Sequence, residues 1–468
     1  MDPTGIMRGS LIPRPRSRVE RRKVFHWRLR KEVRMAGVRS GSSDRALEPT
    51  LQLLQRFFSG KSAENVAIRL WDGTRWPDDR PRPATIVLNH AGALRRMLLP
   101  GTEVGMAEAY LDDDFDVEGD LEAIYDLAEG LAREMQGVPA KLRVAKDLLR
   151  LPRAAGRKPG RRGPARLNGK RHSLERDRQA VTYHYDVSNE FYSLWLDRNM
   201  AYSCAYFQDA GDDLDRAQER KLDYICRKLR LRRGQRLLDI GCGWGGLLIH
   251  AARHYGVEAT GITLSRPQAD LAGARIAAAG LSGLCRVQVR DYREMDEPGR
   301  YDALVSVGMF EHVGARLLPV YFARARELLK PGGLFLNHGI ASRTGERSGS
   351  ARSFSDAYVF PDGETPPVSA SLLAAEKAGF EIRDVESLRE HYAMTLRHWV
   401  HRLEARHDEV LQHVDESMYR VWRLYMSGSA HGFKTGRLNV YQALLVRPGE
   451  AGQSGMPLTR ADWYIVKP

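Results

Sequence analysis

From Leu229 onward, short apolar runs alternate with amphipathic stretches, the pattern of buried strands that each feed a crossover helix. Arg236 to Ile240, Glu258 to Thr263, Cys285 to Val289, Ala303 to Val307 and Leu334 to His338 read as the strands. Gly245 to Tyr255, Pro267 to Ala279 and Leu318 to Leu329 read as helices between them. This series predicts an α/β fold built on a doubly wound parallel sheet of Rossmann-like form, with ligands bound beyond the carboxyl ends of the strands. Two more helical stretches, Met394 to Gln412 and Asp415 to Met426, precede a last strand, Leu438 to Val446, and are expected to cap that crevice.

Candidate chemistry enters after the first of these strands, in Leu237-Leu-Asp-Ile-Gly-Cys-Gly-Trp-Gly-Gly246. A strand that turns into a helix through alternate glycines lets the backbone approach a ligand closely. A dinucleotide enzyme would carry an acid about 20 residues further on to hold a ribose. The second strand instead leads into Gly261-Ile-Thr-Leu-Ser265, with no acid, which disfavours NAD. Asp239 before the turn and Tyr202-Ser203 upstream look like the S-adenosylmethionine pattern, in which hydroxyls and a carboxylate hold the amino acid end of the cofactor.

Five further motifs sharpen this: His184-Tyr-Asp186, Tyr202-Ser-Cys-Ala-Tyr206, Gly261-Ile-Thr-Leu-Ser265, Ser306-Val-Gly-Met-Phe-Glu-His-Val-Gly314 and Tyr358-Val-Phe-Pro-Asp-Gly363. From about Thr182 to Leu445 the chain resembles the cyclopropane-fatty-acyl-phospholipid synthase family, to which the mycolic acid cyclopropane synthases are related. A more diverged stretch from Gly105 to Leu121 resembles the small N-terminal domain of the phospholipid-acting members. The organisation expected is a basic arm at 1–45, a lipid-associated N-terminal domain at 46–140, a basic linker at 141–180 and a catalytic domain at 181–468 with the S-adenosylmethionine-dependent methyltransferase fold and a helical cap.

The resemblance implies a reaction and a site. A cis double bond is a poor nucleophile; its attack on a sulfonium methyl leaves a carbocation, and the bridging methyl must lose a proton before a ring can close. In the family that base is a bound bicarbonate ion. The resemblance carries the bicarbonate site to Cys204, Glu311, His338, the backbone at Ile340, and Tyr392 of His391-Tyr-Ala-Met-Thr395, with Cys204, Glu311, His338 and Tyr392 as the catalytic set. Around the cofactor it implies Tyr202, Ser203, Asp239, Gly241, Gly243 and Gly245 at the methionine end, Thr263, Ser265 and Gln268 at the ribose, and Tyr292 with Arg293 at the adenine, where Tyr292 can stack. Taken alone, a cysteine such as Cys204 is more often a small buried hydrophobe than a functional thiol. Glu311 follows an apolar strand, where an idle carboxylate would be costly to bury. His338 closes another strand, and His312 is expected to point away from Glu311 as a structural residue.

Two departures from the family stand out. Ser429, in Ser427-Gly-Ser-Ala-His431, occupies a place where many members have cysteine, so no thiol nucleophile is available there. Ser353-Phe-Ser-Asp-Ala357 lacks the lysine that relatives carry before the tyrosine.

Composition narrows the partners. The chain has 468 residues, is 43% hydrophobic and has a formal net charge of +14, room for a large core and a bias toward an anionic membrane surface or a nucleic acid. Arginines and lysines crowd the first 40 residues and the Gly/Pro-rich stretch from Lys141 to Arg178. These stretches lack the interleaved aromatics of a nucleic-acid binder, which leaves unsaturated phospholipids at an anionic membrane as the expected partner. The first 40 residues have no apolar core of a secretory signal and read as a disordered arm or as sequence upstream of a start at Met35. No run approaches the ~18 apolar residues of a spanning helix, so contact with lipid is expected to be peripheral and the location cytoplasmic. Four scattered cysteines give neither a zinc site nor a disulfide framework, and no metal is expected. A homodimer is left open. The alternative reading is an N- or C-methyltransferase that acts on a small molecule or acyl chain without closing a ring.

Overall fold

The computed structural model describes residues 41–58, 64–134, 137–154, 163–185, 187–345 and 352–464. Most of the basic arm, the start at Met35, the middle of the linker and Asp186 lie outside them.

The N-terminal region forms a four-stranded sheet from β1 (Val66–Arg69), β2 (Arg75–Trp76), β3 (Ala84–Leu88) and β4 (Phe115–Gly119), in the order β2-β1-β3-β4. The pair β1/β3 is parallel and the others antiparallel. The helix Gly41–Phe57 precedes it, so the arm expected to reach residue 45 ends earlier.

The larger sheet has seven strands: β5 (Arg236–Ile240), β6 (Glu258–Thr263), β7 (Cys285–Val289), β8 (Tyr301–Val307), β9 (Leu329–Ser342), β10 (Glu381–Ser387) and β11 (Leu438–Val446), in the order β10-β11-β9-β8-β5-β6-β7. β5 through β9 run parallel, and the winding reverses between β5 and β8, which opens the crevice there. Leu237, Leu238, Leu304, Phe335 and Leu336 fill the sheet's two faces, as continuous apolar runs in a covered parallel sheet must.

The structure corrects the expected elements in four places. The sheet is not parallel throughout, because β11 runs antiparallel to both β9 and β10. β10 has no predicted counterpart: its sequence Glu-Ile-Arg-Asp-Val-Glu-Ser suits a half-exposed edge strand and has neither an apolar run nor strict alternation. The linker is folded at both ends, into helices Val138–Leu148 and Leu174–Tyr185. The cap helices are Arg389–Ala405, a short turn His407–Val410, and Glu416–Lys434, which continues straight through Ser427-Gly-Ser429. Glycine is tolerated inside that helix because it is needed there: a Cβ at Gly428 would lie 2.7 Å from the Tyr125 hydroxyl.

That last contact belongs to a wide union between the N-terminal region and the cap. One continuous core contains Leu54, Tyr110, Phe115 and Leu121 together with Trp399, Trp422, Met426 and Phe433. Arg420, 6% exposed, donates to the Tyr110 carbonyl at 2.9 Å and pairs with Asp113, Asp116 and Glu416. Arg423 reaches the Tyr110 hydroxyl, and the Tyr125 hydroxyl donates to the Leu424 carbonyl. The Phe354–Tyr358 helix, where the lysine is missing, is held in the same union, with the Tyr358 hydroxyl on Glu108.

Candidate active site

The carboxyl ends of β5, β6 and β8 and the turn after β7 surround a cavity with about 1160 Å³ of empty space, its mouth included. Gly241, Gly243 and Gly245 take φ of +90°, +51° and +80°, which L side chains adopt only with strain. At Gly241 a Cβ would lie 2.7 Å from Met309 Cβ; at Gly243 nothing lies within 4 Å, so the backbone there faces open space. Tyr202, Ser203, Asp239, Gly241, Gly243, Thr263, Gln268, Tyr292 and Arg293 all line the cavity, as the motifs imply. Two expected residues do not. Gly245 packs against Ala272, and Ser265 spends its hydroxyl on capping the Arg266–Ala278 helix, where it accepts from the Gln268 N–H.

The lining is ordered from within. The Thr263 hydroxyl donates to Gln268 Oε1 at 2.9 Å. Arg293 is held by Asp291 at 2.7 Å and Asp177 at 2.9 Å and lies over the Tyr292 ring, so it braces the wall. Burial raises the Asp239 carboxyl to about 7, and its Oδ1 has no partner. The Tyr292 hydroxyl is likewise buried and unpartnered. Unsatisfied buried polar atoms around an open backbone cradle are what a polar, flat-ringed ligand would complete.

None of the expected catalytic residues Cys204, Glu311, His338 and Tyr392 lines this cavity, although their neighbours Ser203 and Met309 do, so the single crevice that the sequence pattern implies does not hold them all. Glu311, 3% exposed, sits on a short 3₁₀ turn after β8. Its Oε1 accepts the Ile340 N–H at 2.6 Å and its Oε2 has no partner. Burial raises this carboxyl to about 7 against the pull of the Ile340 N–H. His338 lies two residues before Ile340 on β9, hence on the same face of the strand. Its Nδ1 is 3.2 Å from Gln442 Nε2, its Nε2 is unpartnered, and burial together with Lys221 and Lys228 keeps the ring neutral.

Cys204 Sγ donates to backbone carbonyls at Ala205 and Leu388, and burial drives its pKa upward, so it remains a thiol. Tyr392 extends from the Arg389–Ala405 helix, with its ring on Phe433 and its hydroxyl within the electrostatic reach of Cys204, Glu311, Tyr425 and Tyr185. The Tyr425 hydroxyl shares hydrogen bonds with Tyr202 and Ser429. Ser429 therefore joins the hydroxyls around Tyr425 and brings no thiol of its own.

Other lining residues were not expected, His312, Tyr185 and Lys221 among them. His312 faces the cavity, with its ring tilted against Phe360 and held neutral by burial. Tyr185 lines the cavity from the His184-Tyr-Asp186 motif, to which no site role was given. Lys221 also lines it; its charge disguises it in Gln218-Glu-Arg-Lys221, although helical spacing puts it on the inward stripe with Leu214, Ala217 and Ile225.

The family model for mycolic acid cyclopropane synthetase matches residues 172–443. A probable fatty acid methyltransferase of Pseudomonas putida is 41% identical over 407 residues, covering 85% of this chain and 96% of that protein. The cyclopropane-fatty-acyl-phospholipid synthase of Escherichia coli K12 is 36% identical over 269 residues, 58% of this chain and 68% of that one. Among solved structures, mycolic acid cyclopropane synthase CmaA1 complexed with SAH and CTAB superposes with a TM-score of 0.54 at 33% identity, covering 57% of this chain and 97% of its own. Among the described residues no helix is long and apolar enough to cross a membrane, and no cluster could hold a metal ion.

Proposed function

Because the chain belongs to the mycolic acid cyclopropane synthetase family and is an S-adenosylmethionine-dependent methyltransferase of it, we propose that it cyclopropanates the cis double bonds of unsaturated acyl chains in membrane phospholipids. The observation that carries this reading is the buried Glu311 carboxyl with one oxygen unpartnered, together with the likewise buried and unpartnered His338 Nε2. Transfer to an amine or alcohol ends when the acceptor loses its own proton; only addition to an alkene requires a base directed at the transferred methyl.

The cofactor fits the cavity, with Tyr202, Ser203 and Asp239 for its amino acid end, Thr263 and Gln268 for the ribose and Tyr292 for the adenine; when bound it supplies an electrophilic methyl group. Glu311 Oε2 and His338 Nε2, both buried and unpartnered, would hold a bicarbonate ion, which when bound would supply a small base. With Gln442 donating to Nδ1, the His338 Nε2 carries a hydrogen and donates. Glu311, near half-protonation at neutrality, can accept or hold a proton. Its Oε1 already takes the Ile340 N–H, so that amide acts on the site through the carboxyl. The Cys204 thiol and Tyr392 hydroxyl stay neutral and contribute hydrogen-bond donors, and the Trp195, Trp399 and Trp422 rings around Tyr202 exclude water.

Incubation with vesicles of a monounsaturated phospholipid and S-adenosylmethionine should add one CH2 to the acyl chain. Transfer only to a soluble amine or alcohol would reject the reading. A second reading, favoured by the name of the Pseudomonas relative, keeps the acyl substrate and gives a methyl or methylene branch.

The membrane reading is supported by the helix Val138–Leu148. Leu142 and Leu149 are 65% and 55% exposed, one heptad apart on one face, with Arg143, Lys146 and Arg150 exposed around them, while Val144 and Leu148 are buried. Apolar anchors among cations suit an anionic bilayer. Vesicle binding is expected to weaken as salt rises and to fall about tenfold in Leu142→Glu/Leu149→Glu. Cosedimentation checks this; salt-independent binding, or none, would favour a soluble substrate.

A further inference from the structure

Lys221 is an ammonium with almost no access to water, at 2% exposure on the inward stripe of the Leu214–Lys228 helix. Its Nζ donates to the Ser203 hydroxyl at 2.8 Å, and among the described residues it is in no ion pair. A buried cation without a counter-charge is expensive and persists where a ligand supplies one. Burial brings its pKa down to about 8, while Asp197, Asp239 and Cys204 oppose the fall. The other arginines of the cavity wall are committed: Arg293 to Asp177 and Asp291, and Arg290 to the Glu294 carbonyl.

Across the same cavity lies Asp239, with an unpartnered oxygen. The two feel each other electrostatically yet form no ion pair. A cation and an anion held apart on the wall of one cavity complement a zwitterion laid head to tail, and α-amino acids are such zwitterions. A simple anion would satisfy Lys221 and leave Asp239 bare.

We propose that Lys221, with the Ser203 hydroxyl, binds the α-carboxylate of S-adenosylmethionine, while Asp239 takes its α-ammonium. This rests on the assignment of the cavity to the cofactor and deepens it: the carboxylate becomes the contact that sets how deeply the amino acid end is seated. Lys221 also feels Cys204 electrostatically and lowers the proton affinity of His338, so seating the carboxylate neutralises a cation that acts on two of the expected catalytic residues.

Calorimetric titration of the full-length protein tests this with three ligands: S-adenosylmethionine, decarboxylated S-adenosylmethionine, which keeps the amine and sulfonium, and 5′-methylthioadenosine, which lacks the amino acid end. The native protein should bind S-adenosylmethionine about a hundredfold more tightly than the decarboxylated compound. Lys221→Met should abolish that preference through weaker S-adenosylmethionine binding alone, with methylthioadenosine affinity within about threefold of native as the sign of an intact cavity. Equal weakening of S-adenosylmethionine and its decarboxylated form, or an unchanged preference, would overturn the proposal. If the variant does not fold, the native ratio decides, since a ratio near one would overturn it too. Failure of the native protein to bind methylthioadenosine would instead remove the cofactor assignment of the cavity, and this inference with it.

Discussion

Replacing Glu311 by glutamine is expected to reduce turnover by about a hundredfold or more while S-adenosylmethionine affinity stays within a few-fold of native. The substitution keeps shape and the bond from the Ile340 N–H but removes a buried group that can hold or release a proton near neutrality. Because Glu311 does not line the cavity, the loss should appear in kcat and not in cofactor binding. The stability effect has the opposite sign. A carboxyl raised from its usual 4.5 to about 7 costs the folded state increasingly as pH climbs through that interval, so the glutamine variant should unfold no more easily than native at pH 8. Single-turnover rates, calorimetry and thermal unfolding at that pH separate the three claims; near-native turnover would take Glu311 out of the chemistry.

Arg420→Met should destabilise the protein by roughly 3 to 5 kcal/mol, measured by urea unfolding, because it takes a buried guanidinium away from two carboxylates, Asp113 and Asp116, and from the Tyr110 carbonyl. Arg397→Met is the contrast. Its bidentate partner Glu122 also bridges the N-terminal region and the cap, but the arginine side chain is 40% exposed, and a loss of about 1 kcal/mol or less is expected. Equal effects would mean that the union is held by its apolar core alone.

How much of this was legible in the chain depends on what each feature leaves in the sequence. β5, β6, β7 and β11 have the predicted bounds: β5, β6 and β11 are mostly buried and largely apolar along their length, while the edge strand β7 shows itself by the alternation of Cys285, Val287 and Val289 with polar residues. β10 left no such trace because an edge strand covered on one side tolerates charge. The Glu416–Lys434 helix was cut short in prediction at Gly428, where the glycine answers to Tyr125, a residue about 300 positions away. The glycine turn and most of the residues expected at the cavity were readable because strand order delivers them to one end of the sheet. That Ser203 and Met309 line the cavity while Cys204 and Glu311 do not was hidden, since it depends on the side to which each neighbouring side chain turns. Lys221 was hidden by its own charge: a lysine among Gln218, Glu219 and Arg220 reads as solvated, and only the helical stripe shows that it is turned inward.

If the transferred methyl itself loses a proton beside Glu311 on the way to a ring, one labelling experiment reads it directly. Purified protein is incubated with vesicles of a monounsaturated phospholipid and S-adenosylmethionine carrying a trideuterated methyl, and the recovered acyl chains are analysed by mass spectrometry and deuterium NMR. Loss of one deuteron from the methyl leaves two of three in the product, and ring closure puts both in the bridging CD2 of a cis-cyclopropane, where they resonate upfield in a chain that resists mild hydrogenation. Two deuterons with those upfield ring signals is the predicted result. Two deuterons in a chain that hydrogenates readily would mean a methylene branch, and would keep the deprotonation while replacing the ring; all three deuterons on the chain would contradict any loss of a proton from the methyl.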